Sequence, residues 1–414
     1  MPRIVKALIA VAVLIVVSWY GLHTVGAGSE ISAAFGKPFA TKADIPDSPE
    51  EWRGQVDYAE LDRRLAAMSA RPEMAGLAVA VVEGGKLRFV HTYGVSDRSS
   101  QAAVTPNTVF RWASVSKTVT GILAASLASE GILDLERPVA SWQTSLRLPD
   151  GAESQVTLSQ LLSQRTGLTK NAYDERLEDG QDPRSVRAAL ASAPLQCQPG
   201  TCHTYQNVAF DAASEILTQA AKRPFTDSVS ERFFLPLGMT SAAYGMAGLT
   251  DAKDWARPHN GEQVRPVKEA YWRVPAAAGV ESNIVDFAKW MQAAMGERPD
   301  VLPKSVLKIA QIPRVETARL YGGALRQANS DARYGLGWRS FKYAGHSLVG
   351  HSGAVDGYRT TLIFDPETGV GVVAMWNSNW GAPFRIPFAV FDAYDKAANW
   401  RWLDLSDLPQ PTAR

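Results

Sequence analysis

This chain of 414 residues has almost no excess of either positive or negative charge. Its 43 Lys and Arg residues are balanced by 42 Asp and Glu residues, which leaves a formal net charge of +1. A chain with this balance has no broad positive field that would attract nucleic acid. We therefore expect no nucleic-acid partner.

Cysteine is scarce, and the six histidines are scattered. Cys197 and Cys202 are the only cysteines, and no H-E-x-x-H cluster occurs. Two cysteines without a second nearby pair do not make a structural zinc site, so no metal is expected. In an exported protein this C-x4-C pair could form a disulfide across the turn, and the alternative is two free thiols.

Long apolar runs are also rare, with one exception at the N-terminus. An uncharged run, ALIAVAVLIVVSWYGL, starts at Ala7 after Arg3 and Lys6 and continues weakly to Ala27. This pattern is typical of an export signal, either cleaved after small residues or kept as an anchor through residues 7–27. We predict that residues 1–28 are a signal peptide or membrane anchor. The rest of the chain is then exported, either periplasmic or held at the membrane outside the cytoplasm.

The remaining sequence predicts a linker at residues 29–50, a single folded domain at 51–402 and a tail at 403–414. Strand-like runs at 76–82 and 87–90, and again at 360–364 and 370–376, predict a hairpin near each end. Helical patterns lie mostly between them, at 58–68, 114–130, 158–163, 208–221, 284–295 and 388–400. We therefore expect an α+β fold, in which an antiparallel sheet from both termini is flanked by helices and carries a mainly helical lobe.

Ser114 and Lys117 form an S-x-x-K motif at the start of a predicted helix. Positions three apart share a helix face, so the amine would lie beside the hydroxyl and activate it as a nucleophile. The motif alone is weak, because an N-cap serine followed by an exposed lysine has the same spacing.

A second motif, Tyr205 and Asn207, follows Pro199-Gly200-Thr201. In an extended segment both side chains point to the same side. Beside a cation the tyrosine pKa of about 10 is expected to fall, which would allow Tyr205 to act as a base and then return the proton. The alternative is an ordinary turn tyrosine.

The third motif is Gly350-His351-Ser352-Gly353-Ala354, just before the C-terminal hairpin. Its small residues would let the strand backbone approach a ligand. Backbone amides there could hold an oxyanion, a contact that contributes ~3 kcal/mol in catalysis. A plain turn into a strand is the competing interpretation.

In this order, S-x-x-K, Y-x-N and [KH]-x-G resemble the serine β-lactamase and penicillin-binding-protein superfamily, most closely its class C branch. The similarity spans residues 58–400 and includes SVSKTVTG at 114–121, AGVESNIVDFAKWM at 278–291 and YGLGW at 334–338. The resemblance implies that Ser114 attacks a carbonyl, that Lys117 and Tyr205 carry protons, and that Asn207 orients the substrate. It also implies an oxyanion hole from the amides of Ser114 and Ala354, and release of the acyl group by water.

The implied activity is that of a serine hydrolase acting through an acyl-enzyme on an ester or amide: a β-lactam, a D-Ala-type peptide or a carboxylic ester. Its partner is then a small-molecule or peptide substrate, and no cofactor is implied because the chain supplies every reacting group. The alternative is a catalytically silent protein of the same fold that binds peptidoglycan or muropeptides. The oligomeric state is left open.

One departure from the class C pattern concerns His351, because lactamases of that class carry Lys-Thr-Gly where this chain has His351-Ser352-Gly353. A histidine with a pKa of about 6.5 is mostly neutral at pH 7 and is a weaker anchor for a substrate carboxylate. By resemblance, H-x-G is found in esterases and some peptidases of the superfamily. Arg359 could replace the missing charge, although a solvated strand residue is the favoured interpretation.

Residues 350–354 also resemble the G-x-S-x-[GA] elbow of α/β-hydrolases. Those enzymes place an acid and then a histidine after the serine, whereas His351 is the last histidine of this chain. We therefore reject this alternative.

Overall fold

The strands of this protein come mainly from its two ends. The computed structural model describes residues 45–46, 48–397 and 400–406, all within one compact unit. The described strands are β1 (Gly76–Glu83), β2 (Lys86–Asp97), β3 (Ala102–Ala103), β4 (Phe110–Arg111), β5 (Ala243–Tyr244), β6 (His259–Asn260), β7 (Gln263–Val264), β8 (Val280–Ser282), β9 (Val315–Glu316), β10 (Asn329–Tyr334), β11 (Arg339–Tyr343), β12 (His346–Val355), β13 (Tyr358–Asp365) and β14 (Val370–Trp376).

The α-helices lie at the ends of the chain and in the long middle segment. In chain order they are α1 (Tyr58–Ser69), α2 (Ser116–Ser129), α3 (Leu158–Leu162), α4 (Asp174–Glu178), α5 (Pro183–Ala189), α6 (Ala212–Ala221), α7 (Phe225–Val229), α8 (Met246–Thr250), α9 (Pro275–Ala278), α10 (Ile284–Met295), α11 (Lys304–Gln311), α12 (Gly323–Ala328) and α13 (Ile386–Tyr394).

The main sheet of the described residues has nine strands in the order β3-β2-β1-β14-β13-β12-β11-β10-β9. Strand β1 pairs antiparallel with β2 on one side and with β14 on the other, so that Leu77 is opposite both Tyr93 and Trp376. This pairing joins the N-terminal hairpin to the C-terminal one. The prediction of an antiparallel sheet built from both termini is confirmed.

Both faces of the central strands are covered by helices. Leu77, Val79 and Val81 alternate along β1 and belong to one buried apolar cluster with Leu61 of α1 and Phe388 of α13. On the opposite face, Gly371 of β14 lies so close to α10 that a Cβ atom there would be 2.8 Å from the sulfur of Met291. Because both faces are buried, β1 and β14 are apolar almost throughout.

The segment between β4 and β8 forms a mainly helical lobe beside the sheet, and α2 within it is almost entirely buried. The helix pattern predicted from residue 114 in fact begins with a 3₁₀ turn at Ala113–Val115, which α2 continues. The final helix, predicted to reach residue 400, ends at Tyr394.

No helix within the described residues is both long enough and apolar enough to span a membrane. The predicted signal or anchor at residues 1–28 lies outside the described residues, as does most of the linker predicted at 29–50. These boundaries remain predictions.

Candidate active site

Ser114 sits in the 3₁₀ turn that leads into α2, at the wall of a cleft of about 530 Å³. The preceding residue, Ala113, has a φ of 48°, a left-handed conformation that is unfavourable for a residue with a Cβ. Such strain persists only where the surrounding structure enforces it, and it is frequent at active sites. Ser114 is the half-buried residue of this otherwise buried turn, so its hydroxyl is accessible from the cleft.

Lys117 lies in the first turn of α2 and is completely buried. Its Nζ donates hydrogen bonds to Oδ1 of Asn207 at 2.7 Å and to the carbonyl oxygen of Ala277 at 3.0 Å. Burial lowers the pKa of Lys117 to about 7, because desolvation outweighs the attraction of the negative charge on Asp174. The positive charge of Arg339 lowers this pKa further. Near neutral pH this amine therefore exists in both protonation states.

Tyr205 stacks over this amine, with the Lys117 Nζ 4.7 Å from the centroid of its ring. Its hydroxyl is buried and has no well-formed hydrogen bond to another described residue, although the Ser114 side chain is near enough to lower its pKa. Burial is the larger effect and raises the pKa of Tyr205 to about 12. The expectation that a neighbouring cation would lower this pKa is therefore wrong, because desolvation dominates.

The backbone around Tyr205 is fixed by hydrogen bonds to Gln164 and Asn171. With a φ of 64° and a fully buried side chain, Gln164 accepts from the N–H of Gln206 at 2.7 Å and donates to its carbonyl at 3.1 Å. The carbonyl of Tyr205 accepts from the N–H of Asn171 at 2.8 Å. These bonds fix the direction in which the tyrosine side chain leaves the backbone.

Cys197 and Cys202 are joined by a disulfide bond in the loop before Tyr205. The loop is fastened to the neighbouring chain, because the N–H groups of Gln196 and Cys197 both donate to the carbonyl of Gly167. Gly167 has a φ of 81°, and a Cβ atom there would lie 2.6 Å from the Cys197 carbonyl oxygen. The disulfide thus closes a loop that packs tightly beside the tyrosine segment.

Asn207 points to the same side of the chain as Tyr205 and lines the same cleft. Its Oδ1 accepts from Lys117, and its Nδ2 donates to Oδ2 of Asp174 at 2.7 Å. The side-chain amide therefore connects a buried amine to a buried carboxyl group. These two bonds give Asn207 a structural role that the sequence did not indicate.

The C-terminal end of β12 forms a further wall of the cleft. Pairing between β11 and β12 stops at Arg339 and Gly350, so residues 351–355 keep β13 on one side and face the cleft on the other. Ala354 is exposed at this edge, and Ser114 is the second residue of its 3₁₀ turn, a position where the N–H lacks an intrahelical partner. This edge is suited to hold an oxyanion.

His351 is fully buried and lines the inner wall of the cleft. Its Nδ1 is 2.7 Å from the carbonyl oxygen of Ser352, and its Nε2 is 2.9 Å from the hydroxyl of Tyr334. Burial, with Arg339 and Lys117 nearby, holds the pKa of His351 well below its usual value. A neutral ring fits both bonds, with Nδ1–H donating and Nε2 accepting, and it cannot serve as a charged carboxylate anchor.

Gly353 is required by a contact within the protein itself. A Cβ atom at this position would lie 2.3 Å from the carbonyl oxygen of Trp112 and 3.1 Å from the Cβ of Ala113. Close approach to a ligand was the expected reason for this glycine, whereas the backbone it approaches is the segment that carries Ser114. Ser352, next to it, lies in the cleft wall, with its hydroxyl 3.5 Å from that of Tyr321.

Among the other side chains that line the cleft, sequence reasoning did not select the ionisable groups of Asp174, His203 and Arg339, nor those of Lys170 and Tyr271. Arg339 is half-buried, lies 5.5 Å from the ring centroid of Tyr205 and 5.1 Å from that of Tyr334, and its guanidinium forms no ion pair with another described residue. Arg359, considered as the replacement for a missing charge, instead donates to the carbonyls of Val355 and Tyr358 in its own hairpin.

Burial lowers the pKa of His203 to about 3, so this residue is neutral. In the described part of the chain, no group of three or more His, Cys, Asp or Glu side chains is placed to hold a metal ion.

Comparison with known proteins agrees with this geometry. A family model described as "Beta-lactamase" matches residues 61–390. Similar curated proteins include "Unguisins hydrolase ungD'" of Aspergillus campestris, 27% identical over 82% of this chain and 65% of its own length. "Protein flp" of Staphylococcus aureus strain N315 is 23% identical over 77% of this chain and 63% of its own length. The chain thus spans less than two thirds of each of these relatives.

Among solved structures, the octameric penicillin-binding protein homologue from Pyrococcus abyssi superposes with a TM-score of 0.73. It is 21% identical in sequence, and the match covers 83% of this chain and 78% of that one. This likeness shows the fold. Because the family model covers most of its length, this chain belongs to the β-lactamase family. Membership in this family supports a function of the serine hydrolase type in general.

Proposed function

We propose that this protein is a serine hydrolase that forms an acyl-enzyme on Ser114 from an ester or amide substrate bearing an anionic group. The observation that carries the proposal is the shared cleft of Ser114, an amine of pKa about 7 on Lys117, and the neutral hydroxyl of Tyr205. Both proton carriers are in the state that acyl transfer at neutral pH requires. The name of one relative, a hydrolase of unguisins, supports the same class of reaction.

In acylation, the free amine of Lys117 takes the proton of the Ser114 hydroxyl as its oxygen bonds to the substrate carbonyl carbon. The carbonyl oxygen becomes an oxyanion, which the N–H groups of Ser114 and Ala354 stabilise. The bond to the leaving group then breaks as Tyr205 donates its proton to that group. Lys117, now protonated, returns a proton to Tyr205, so both carriers regain their starting states.

Deacylation uses the same groups with water as the nucleophile. Water gives a proton to the Lys117 amine as its oxygen bonds to the acyl carbon. The bond from that carbon to Ser114 breaks, and the serine oxygen recovers the proton. The cycle needs no group from outside the chain other than water.

The substrate's anionic group is assigned to Arg339. Since His351 is neutral, it cannot supply a positive charge, whereas the Arg339 guanidinium lies in the cleft without an ion-pair partner among the described residues. A guanidinium presents a planar set of donors that matches a carboxylate. This favours β-lactams and D-Ala-terminated peptides, which carry a carboxylate, over simple carboxylic esters.

Covalent labelling of the protein tests the reaction class. A fluorophosphonate probe and a fluorescent penicillin are expected to label the wild type and not Ser114→Ala, with the site confirmed by peptide mass spectrometry. Absence of labelling in the wild type would contradict the proposal and favour a catalytically silent binding protein.

A substrate panel then separates the classes: p-nitrophenyl butyrate, nitrocefin and a peptide ending in D-Ala-D-Ala, each with Ser114→Ala as the control. Preferential turnover of the two carboxylate-bearing compounds is expected. Turnover of the neutral ester alone would contradict the assignment of Arg339.

A further inference from the structure

Asp174 is a buried carboxyl group at the cleft wall that none of the three sequence motifs contains. It is the first residue of α4, and its Oδ2 accepts from Nδ2 of Asn207 at 2.7 Å and from the hydroxyl of Tyr271 at 3.3 Å. Asn207 in turn accepts from Lys117 at 2.7 Å. The carboxyl group is therefore two hydrogen bonds from the candidate base.

This chain of bonds removes an ambiguity in the Asn207 side chain. An amide can be turned end for end, since its oxygen and nitrogen have almost the same shape. An ionised carboxylate only accepts, so Asp174 requires the Nδ2 end to face it. The Oδ1 end must then face Lys117.

The orientation of Asn207 determines which positions on the Lys117 amine nitrogen are engaged in hydrogen bonds. A free amine has two N–H donors and one lone pair. Both donors of Lys117 are engaged, one with Asn207 and one with the carbonyl of Ala277. The lone pair is then the remaining position on the nitrogen and is left to receive the proton of Ser114.

We propose that Asp174 is a positioning residue which, through Asn207, holds the Lys117 amine with its lone pair available to Ser114. The inference rests on the proposed hydrolase function, because it assigns a role in that reaction. Asp174 itself touches no reacting atom in this scheme.

The charges around the pair are consistent with this role. Burial raises the pKa of Asp174 to about 6, with Asn207, Lys117 and Tyr271 opposing that rise and Glu178 adding to it. Asp174 is therefore mostly ionised at the pH where Lys117 titrates.

The other charged groups that act on Lys117 are Asp211, which raises its pKa, and Arg339, which lowers it. The neighbouring side chains of Tyr205 and His351 are uncharged at pH 7. Removal of the Asp174 charge should therefore lower the pKa of Lys117.

The test uses Asp174→Asn, with Glu178→Gln as the matched control. An amide at position 174 has the same shape but lacks the charge and can pair with either end of Asn207. Glu178 is an exposed neighbour on the same helix that accepts from Tyr271 at 2.7 Å and, among the described residues, forms no hydrogen bond with Asn207. The readouts are kcat and KM for p-nitrophenyl butyrate and the rate of fluorophosphonate labelling, each from pH 5.5 to 9.

For Asp174→Asn we expect kcat to fall roughly tenfold and KM to change less than twofold. The loss is a part of the roughly 10²- to 10⁴-fold rate enhancement that a well-positioned general base contributes. The acid limb of the labelling profile should move about one unit toward lower pH. Glu178→Gln should match the wild type in rate and profile.

An Asp174→Asn variant with the wild-type profile and kcat would overturn the positioning role, since a purely structural anchor changes the melting temperature alone. If the wild type is labelled at Ser114 while the variant shows no shift, this inference fails and the hydrolase assignment stands. Failure to label the wild type overturns both.

Discussion

The side-chain nitrogen of Lys117 and the ring of Tyr205 lie 4.7 Å apart in one buried space, yet their pKa values move in opposite directions. Burial disfavours the charged form of each group, which lowers the pKa of the amine to about 7 and raises that of the phenol to about 12. One site thus contains an amine that accepts a proton at neutral pH and a phenol that can donate one.

The rate of acylation should follow the titration of Lys117. Below pH 7 the amine is increasingly protonated, so kcat/KM is expected to fall about tenfold per pH unit on the acid side and to level off above about pH 7 to 8. Ester hydrolysis measured from pH 5.5 to 9 gives the profile, and Lys117→Met, which is matched in size, should abolish it. A flat rate from pH 5.5 to 8 would show that Lys117 is not the group that accepts the proton.

Replacement of Tyr205 by phenylalanine should separate substrates by their leaving groups. The ring remains over Lys117, but the donor hydroxyl is lost. For an alkyl ester, whose alkoxide needs a proton, kcat is expected to fall roughly 10²-fold or more, whereas a p-nitrophenyl ester should lose much less. An equal loss on both esters would argue against Tyr205 as the proton donor.

Arg339→Met should raise KM for substrates that carry a carboxylate and leave KM for neutral esters unchanged. Loss of a charge-assisted hydrogen bond costs about 1.5–3 kcal/mol, which corresponds to a KM increase of roughly 10- to 150-fold for nitrocefin or a D-Ala-D-Ala peptide. Arg359→Met is the matched control, because its guanidinium bonds carbonyls of its own hairpin. A similar KM increase for p-nitrophenyl butyrate would contradict an electrostatic role.

The main features of the site follow from local sequence, since Ser114, Lys117, Tyr205 and residues 351–354 occur in short motifs, and the structure brings them around one cleft. Arg339 directly follows YGLGW, so attention to the residue after that motif could have found it. Asp174 had no such signal. It reaches Asn207 through a contact between residues 33 positions apart that depends on how the helical lobe folds.

The prediction for the pKa of Tyr205 was wrong because it, too, depends on contacts between residues that are distant in sequence. A sequence shows which charges are close along the chain, but desolvation depends on the complete three-dimensional packing. The carbonyl of Trp112 behind Gly353 is equally invisible in the sequence, because 241 residues separate the two positions.

The disulfide between Cys197 and Cys202 should stabilise the tyrosine segment. Closing so short a loop is worth roughly 2 kcal/mol in the chain-entropy model. Reductant is therefore expected to lower the melting temperature by a few degrees and to reduce kcat several-fold, and Cys197→Ser with Cys202→Ser should reproduce both effects without reductant. The same double variant serves as the control, since reductant should change it no further. Identical melting and activity with and without reductant would refute a supporting role for the bond.

The position of β1 between β2 and β14 determines when the candidate site can first form during synthesis. Leu77 leaves the ribosome early, whereas its partner Trp376 is made 299 residues later. Pairings between such distant residues form slowly and only once both are available. A growing chain therefore carries Ser114 long before it has β12, β13 and β14, and the cleft is completed only when the last strands are in place. A partly made chain thus contains Ser114 but lacks the wall of the cleft that β12 forms.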